Sequence, residues 1–216
     1  TRRPGAWARW AKVTPNPSHR RVRSVQALVP KSVSAGAIMF EEVLEFWFKE
    51  AEPKQWWIVD PEFDARIRGR FLPVLDQAAR SELFTWRSTR QGRLAEIIVL
   101  DQFSRNIHRN TPGAFSQDPL ALALSQEAVA SGALEQLSPT ERAFLLMPYM
   151  HSESTVVHIE AERLYKAWAP ASNYEFELRH KAIIDRFGRY PHRNTILGRA
   201  STPEEEEFLK QPGSGF

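Results

Sequence analysis

Three short stretches of the chain concentrate side chains able to move protons or hold anions. The first is Asp101-Gln102-Phe103-Ser104-Arg105-Asn106, running on to His108 and Arg109. On a helix, Asp101 and Arg105 are four apart and share a face, and Gln102 and Asn106 share the next one. The second is His151-Ser152-Glu153, just after the apolar run Phe144 to Met150. Pro148 lies inside that run and should kink or interrupt a helix. A His and a Glu close together at such a distortion suit proton transfer. His158, seven residues on, falls on nearly the same helical face as His151. The third is His180 followed by Arg186-Phe187-Gly188-Arg189-Tyr190-Pro191-His192-Arg193-Asn194 and then Arg199. Residues 186–199 hold four Arg, one His and one Asn but no acid. Guanidinium forks match carboxylate and phosphate groups. Four of them exceed what the negative end of one helix requires. Their partners are then buried acids such as Asp101 or Glu153, or an anionic ligand.

The expected roles follow from those types. His151, Glu153 and His192 are the candidate proton-moving, catalytic groups. Asp101, Gln102, Arg105, Asn106, Arg189, Arg193 and Asn194 are the candidate ligand-binding groups. Each stretch also has a purely structural reading. Asp101 and Arg105 can form a local ion pair, His151 can be a core histidine bonded to a carbonyl, and the arginines can satisfy a helix end. No metal is expected. His151 and Glu153 are two apart, which on a helix points them to different sides. No HExxH spacing occurs, and the neighbouring arginines repel a divalent ion. Neither GxGxxG nor a Walker A loop is present, nor the Gly-x-Ser-x-Gly elbow of α/β-hydrolases, so no cofactor is expected. The absence of cysteine removes thiol catalysis, cysteine-ligated zinc and disulfide frameworks.

Helices must carry these groups. FEEVLEFWFKE at 40–50 places Phe40, Val43, Leu44, Trp47 and Phe48 on one helical face. Asp60-Pro61 reads as an N-cap with proline in the first turn, and Asp118-Pro119 repeats the device. From Phe63 to Ala78 the apolar positions recur at three and four. AEIIVL at 95–100 could be a buried strand, but no second strand exists to pair with it, so helix is expected. Ser138-Pro139-Thr140-Glu141, Ser172 with Glu175, and Thr202-Pro203-Glu204-Glu205 read as capping boxes. Gly132 and Gly188 read as C-terminal stops. The expected fold is all-α, with about eight helices in antiparallel pairs.

The charge belongs to two regions. Residues 1–38 carry eight Lys or Arg and no Asp or Glu, so the net charge of +3 leaves residues 39–216 acidic at −5. The body has no long basic stripe, which argues against nucleic acid as its partner. The basic stretch has the composition of a transit peptide, of a disordered arm, or of residues upstream of a natural start at Met39. Trp7, Trp10 and the apolar run Val25 to Val29 could let part of it pack on the body. The expected organisation is a basic extension over 1–38 and one all-α domain over 39–216. No apolar run approaches the roughly 20 residues a membrane helix needs, so no membrane partner is expected and the expected location is cytoplasmic.

Four stretches also resemble a known family. VLEFWF at 43–48, LDQFSRNIHRNTPGAFSQDPLALAL at 100–124, FLLMPYMHSES at 144–154 and HKAIIDRFGRYPHRNTILGRAST at 180–202 are similar to the bacterial domain-of-unknown-function 924 family. The resemblance spans Met39 to about Leu209. Ser104 stands where the family usually has Pro, and Val157-His158 where an acidic residue and Gln are common. The resemblance implies a helical stack related to tetratricopeptide-repeat proteins and no particular reaction. Three functions remain open: a small-molecule site for an anion, with acid–base chemistry; a groove for a peptide, lined by aromatics such as Trp56, Trp57 and Trp86; or a polar network that only fixes helix packing.

Overall fold

The computed structural model describes residues 38–215, and every element among them is helical. Expectations for Trp7, Trp10 and Val25 to Val29 fall outside the described residues. The helices are α1 (Phe40–Glu45), α2 (Pro61–Ala79), α3 (Arg90–Ile98), α4 (Ser104–Ile107), α5 (Asp118–Ala130), α6 (Pro139–Met150), α7 (Thr155–Trp168), α8 (Ala171–Phe187) and α9 (Pro203–Leu209). No described helix is long and apolar enough to cross a membrane.

Most starts and stops obey the local chemistry. The Asp60 carboxylate accepts from the Glu62 and Phe63 amides, and Ser138 and Thr202 close reciprocal boxes with Glu141 and Glu205. Gly188 ends α8 with φ of 68°, a left-handed turn that a side chain would strain. Three places differ from expectation. Helix α8 starts at Ala171 with Pro170 before it, so the Ser172 box does not form. Helix α6 continues through Pro148 to Met150. That proline removes one amide near the helix end, and the His151 amide still closes on the Met147 carbonyl at 3.0 Å. Asp118 is the first residue of α5 rather than its N-cap, and its carboxylate is spent elsewhere.

The run AEIIVL is helical and fully buried, and α3 passes into α4 through one widened π-turn at Val99–Phe103. Such turns insert a residue and redirect the side chains around it. Here it carries Asp101 and Gln102. An aromatic core anchors the turn: Phe103 lies 4.8 Å from Phe71 and 5.6 Å from Trp47, ring centre to ring centre. Helix α7 packs between α6 and α8. Beyond α8, Tyr190 is fully buried and its hydroxyl donates to the Met150 carbonyl at 2.5 Å. That bond ties the 188–199 segment to the end of α6.

Candidate functional site

Side chains from four separate stretches meet at the end of α6. The π-turn supplies Asp101, α4 supplies Arg105, α5 supplies Asp118, α6 delivers His151, and the segment after α8 supplies Arg193. Asp101 is 1% exposed. It accepts from Arg105 at 3.0 Å, and its Oδ1 is 2.7 Å from His151 Nδ1. Arg105 reaches on to Asp118 at 3.0 Å. Arg193 donates to the same Asp118 oxygen at 3.2 Å and to the His151 carbonyl at 3.0 Å. Both guanidinium groups lie over the Phe115 ring, at 4.6 Å for Arg193 and 5.7 Å for Arg105.

Asp118, His151 and Arg193 of this cluster line a cavity of about 350 Å³, within the size range of small-molecule sites. Its charged and polar lining includes Asp118, His151, Ser152, Glu153 and Arg193, and its walls are largely apolar, with Phe115, Leu122, Pro148 and Leu197. Glu153 is gripped by Arg199 at 2.6 and 2.9 Å and by the Tyr190 amide at 2.8 Å. The His151 Nε2 has no hydrogen-bond partner among the described residues and is left for the cavity.

The electrostatics follow from burial and pairing. Burial alone would push the Asp101 carboxyl up, but the Arg105 charge and the His151 contact outweigh it and hold it well below the usual carboxylate range. Burial pushes His151 below its ordinary value, and the Arg105 charge adds to that. The ring is therefore neutral at physiological pH. Since a carboxylate can only accept, Nδ1 carries the hydrogen and Nε2 is a free base. Burial would raise Glu153, and Arg199 with the Tyr190 amide overrides it downward. Burial and the nearby Arg105 lower Arg193.

Three of the sequence candidates, His151, Glu153 and Arg193, line the cavity, and Asp101 and Arg105 pair with its lining from behind. Gln102 stands behind them, donating to Asp101 at 2.5 Å and to the Met147 sulfur at 3.1 Å. The others lie apart. Asn106 donates to Asp64 at 2.8 Å, alongside Arg109, because its helix face turns toward α2. Arg189 and Asn194 converge on Glu205 at the start of α9, at 2.6 and 3.3 Å. His192 packs its ring 5.5 Å from Tyr190 and does not line the cavity. The acid-free arginine stretch is matched by carboxylates from elsewhere. Arg186 meets Glu204, Arg189 meets Glu205, Arg193 meets Asp118, and Arg199 meets Glu153. Asp118 is the residue that sequence reasoning missed, because the Asp-Pro pair already had a satisfactory explanation as a cap.

His158 is fully buried with Glu177, Nδ1 to Oε1 at 2.7 Å, and its Nε2 lies 2.9 Å from the Ser152 carbonyl. Of the aromatics considered for a groove, Trp86 is buried, Trp56 is half-buried with its indole N–H on the Trp47 carbonyl, and Trp57 is exposed. Among the described residues, no group of three or more His, Asp or Glu is arranged to hold a metal ion.

The protein of unknown function ATU0120 from Agrobacterium tumefaciens has a solved structure similar to this one. It is 35% identical, with a TM-score of 0.76, over 80% of this chain and 97% of that one. No curated protein matches the chain. The family model described as bacterial protein of unknown function (DUF924) matches residues 43–213, and the chain belongs to that family.

Proposed function

We propose that the cavity at the end of α6 is a small-molecule site in which His151 exchanges a proton with the bound ligand. The observation that carries this reading is the Asp101–His151 contact at 2.7 Å. A buried carboxylate fixes the tautomer and orientation of the ring and presents Nε2 as a base to a cavity with apolar walls. This is the arrangement general acid–base chemistry needs. Asp101 and His151 are the proton-handling pair, Arg105 and Asp118 hold that pair in place, and Arg193 with Phe115 forms the adjoining wall. A ligand with an apolar body and one acidic or hydrogen-bonding group fits such a lining.

The peptide-groove alternative has less support, since two of the three aromatics it relied on are engaged in packing. The test is an NMR screen of small carboxylic acids and their neutral amides against the 15N-labelled protein. The reading expects at least one compound to shift the side-chain signals of His151 and Arg193 together, and His151→Gln to abolish that response. A screen in which no compound moves either signal would sink it.

A further inference from the structure

The charges around His151 constrain what kind of ligand fits the cavity. The charged groups in the lining or paired directly with it are Asp101, Asp118 and Glu153 against Arg105, Arg193 and Arg199. Every guanidinium lies within 3.2 Å of a carboxylate, and the six charges cancel. The arginines that invited an anion in the sequence are therefore already neutralised from within. An anion entering the cavity would meet Asp118 and Glu153 as well as Arg193 and would find no net positive charge. The group able to supply one is His151, whose ring is neutral and whose Nε2 is unspent. Its Nδ1–H already points at the Asp101 carboxylate, so an imidazolium would keep that bond and gain a second donor aimed at the ligand.

We propose that the cavity binds small monocarboxylates with an apolar body, and that each binds together with one proton taken up on His151. The inference rests on the small-molecule reading above. One proton adds one positive charge, which balances a monoanion and leaves a phosphate dianion uncompensated. The apolar body lies along Phe115, Leu122 and Leu197. The free ring resists protonation because it is buried and faces Arg105 from α4, while Arg193 from the segment after α8 donates to the His151 carbonyl. Asp101 from the π-turn and Asp118 from α5 oppose the Arg105 charge, and His180 and His192, both pushed down by burial, also sense His151. A bound carboxylate tips that balance toward the imidazolium. Affinity is then linked to pH: between the free and the bound pKa of His151, each pH unit weakens binding about tenfold.

Isothermal titration calorimetry with hexanoate tests this, since hexanoate is fully ionised over the range and any titration belongs to the protein. Between about pH 6.5 and about pH 7.5 the Kd should rise about tenfold. Buffers of different ionisation enthalpy should report uptake of about one proton per hexanoate bound. His151→Gln should bind hexanoate weakly and with no pH slope. A wild-type Kd independent of pH with no proton uptake, or a slope that survives in His151→Gln, would overturn the proton coupling and leave the small-molecule site standing. Hexanamide binding as tightly as hexanoate at the lower pH would overturn the preference for an anion. If neither hexanoate nor hexanamide binds, the inference falls, and the small-molecule reading is then judged by its own NMR screen.

Discussion

His151 and His158 make the same first contact, a ring Nδ1 2.7 Å from a carboxylate, and differ in where the second nitrogen goes. His151 leaves Nε2 to the cavity. His158 spends Nε2 on the Ser152 carbonyl, one residue along the same turn, and has no exposure at all. A carbonyl only accepts, so Nε2 of His158 carries a hydrogen. The Glu177 carboxyl then supplies the hydrogen that joins it to Nδ1. Burial raises the Glu177 carboxyl, which agrees with a proton retained by the pair. Identical pairings serve opposite ends. The sealed pair fixes the turn from behind, and the open pair faces the ligand space in front of it.

The sharpest way to break that division is to remove one member of the sealed pair. Glu177→Ala leaves His158 buried without its partner, and breaking a buried pair in this way costs about 3–5 kcal/mol. Urea unfolding of the variant measures it. A loss below about 1 kcal/mol, the net worth of an ordinary hydrogen bond, would mean that the pair is not what holds the turn.

On the open side the expected losses are smaller because the contacts overlap. Arg193→Ala removes donors to Asp118 and the His151 carbonyl, yet Arg105 still holds Asp118. The expected cost is about 1.5–3 kcal/mol, the range for a hydrogen bond to a charged group. If the cost reached that of Glu177→Ala, Arg193 would be the keystone of a structural network rather than a cavity wall. Ligand response and stability would then be lost together.

These contrasts also mark what could be read without coordinates. The helix class, the caps at Asp60, Ser138 and Thr202, and the stops at Gly132 and Gly188 rest on local chemistry that operates within one turn. Asp101 with Arg105 was legible for the same reason, as neighbours four apart. Other features were not legible. A π-turn at Val99–Phe103 has no local sequence signature, and its last residue, Phe103, packs against Phe71 and Trp47 from distant parts of the chain. The fate of the arginines depended on acids 16 to 75 residues away. Asp118 could serve equally as a cap or as an ion partner until Arg105 and Arg193 were seen to reach it.

The open pair, with the buried histidines His180 and His192 near it, differs from the sealed pair in the sign of its pH response. Burial pushes His180 down to about 3 and His192 to about 4, and lowers His151. A histidine with a lowered folded pKa binds fewer protons folded than unfolded. Stability is therefore present above pH 6.5 or so and is lost as the pH falls toward the folded values, by up to about 1.4 kcal/mol per pH unit for each histidine. Glu177 is raised, so its contribution runs the other way, fully present at low pH and lost as the pH rises through its folded value. Thermal melts across pH should show a steep acid limb that becomes shallower in His192→Gln. An acid limb unchanged in that variant would mean that this ring is not held neutral by its burial.

The smallest effect is expected where sequence gave the loudest signal, at the outer edge of the arginine stretch. Arg186 and Glu204 form a close pair at 2.8 Å, but their side chains are 47% and 65% exposed. Water screens the attraction, and ordering two long side chains offsets much of the rest, so such pairs contribute about 0–1 kcal/mol. The ring of Phe187 beneath the guanidinium, at 4.6 Å, adds about 0.5–1 kcal/mol at most in an exposed setting. Arg186→Ala should therefore lower stability slightly, lose that small effect in high salt, and leave hexanoate binding as in wild type. Arg193, seven residues on and 6% exposed, should do neither: its loss should persist in salt and weaken hexanoate binding. Matching salt profiles for the two variants would mean that the arginines act as one surface array, and that the division between an inner wall and an outer ion pair does not hold.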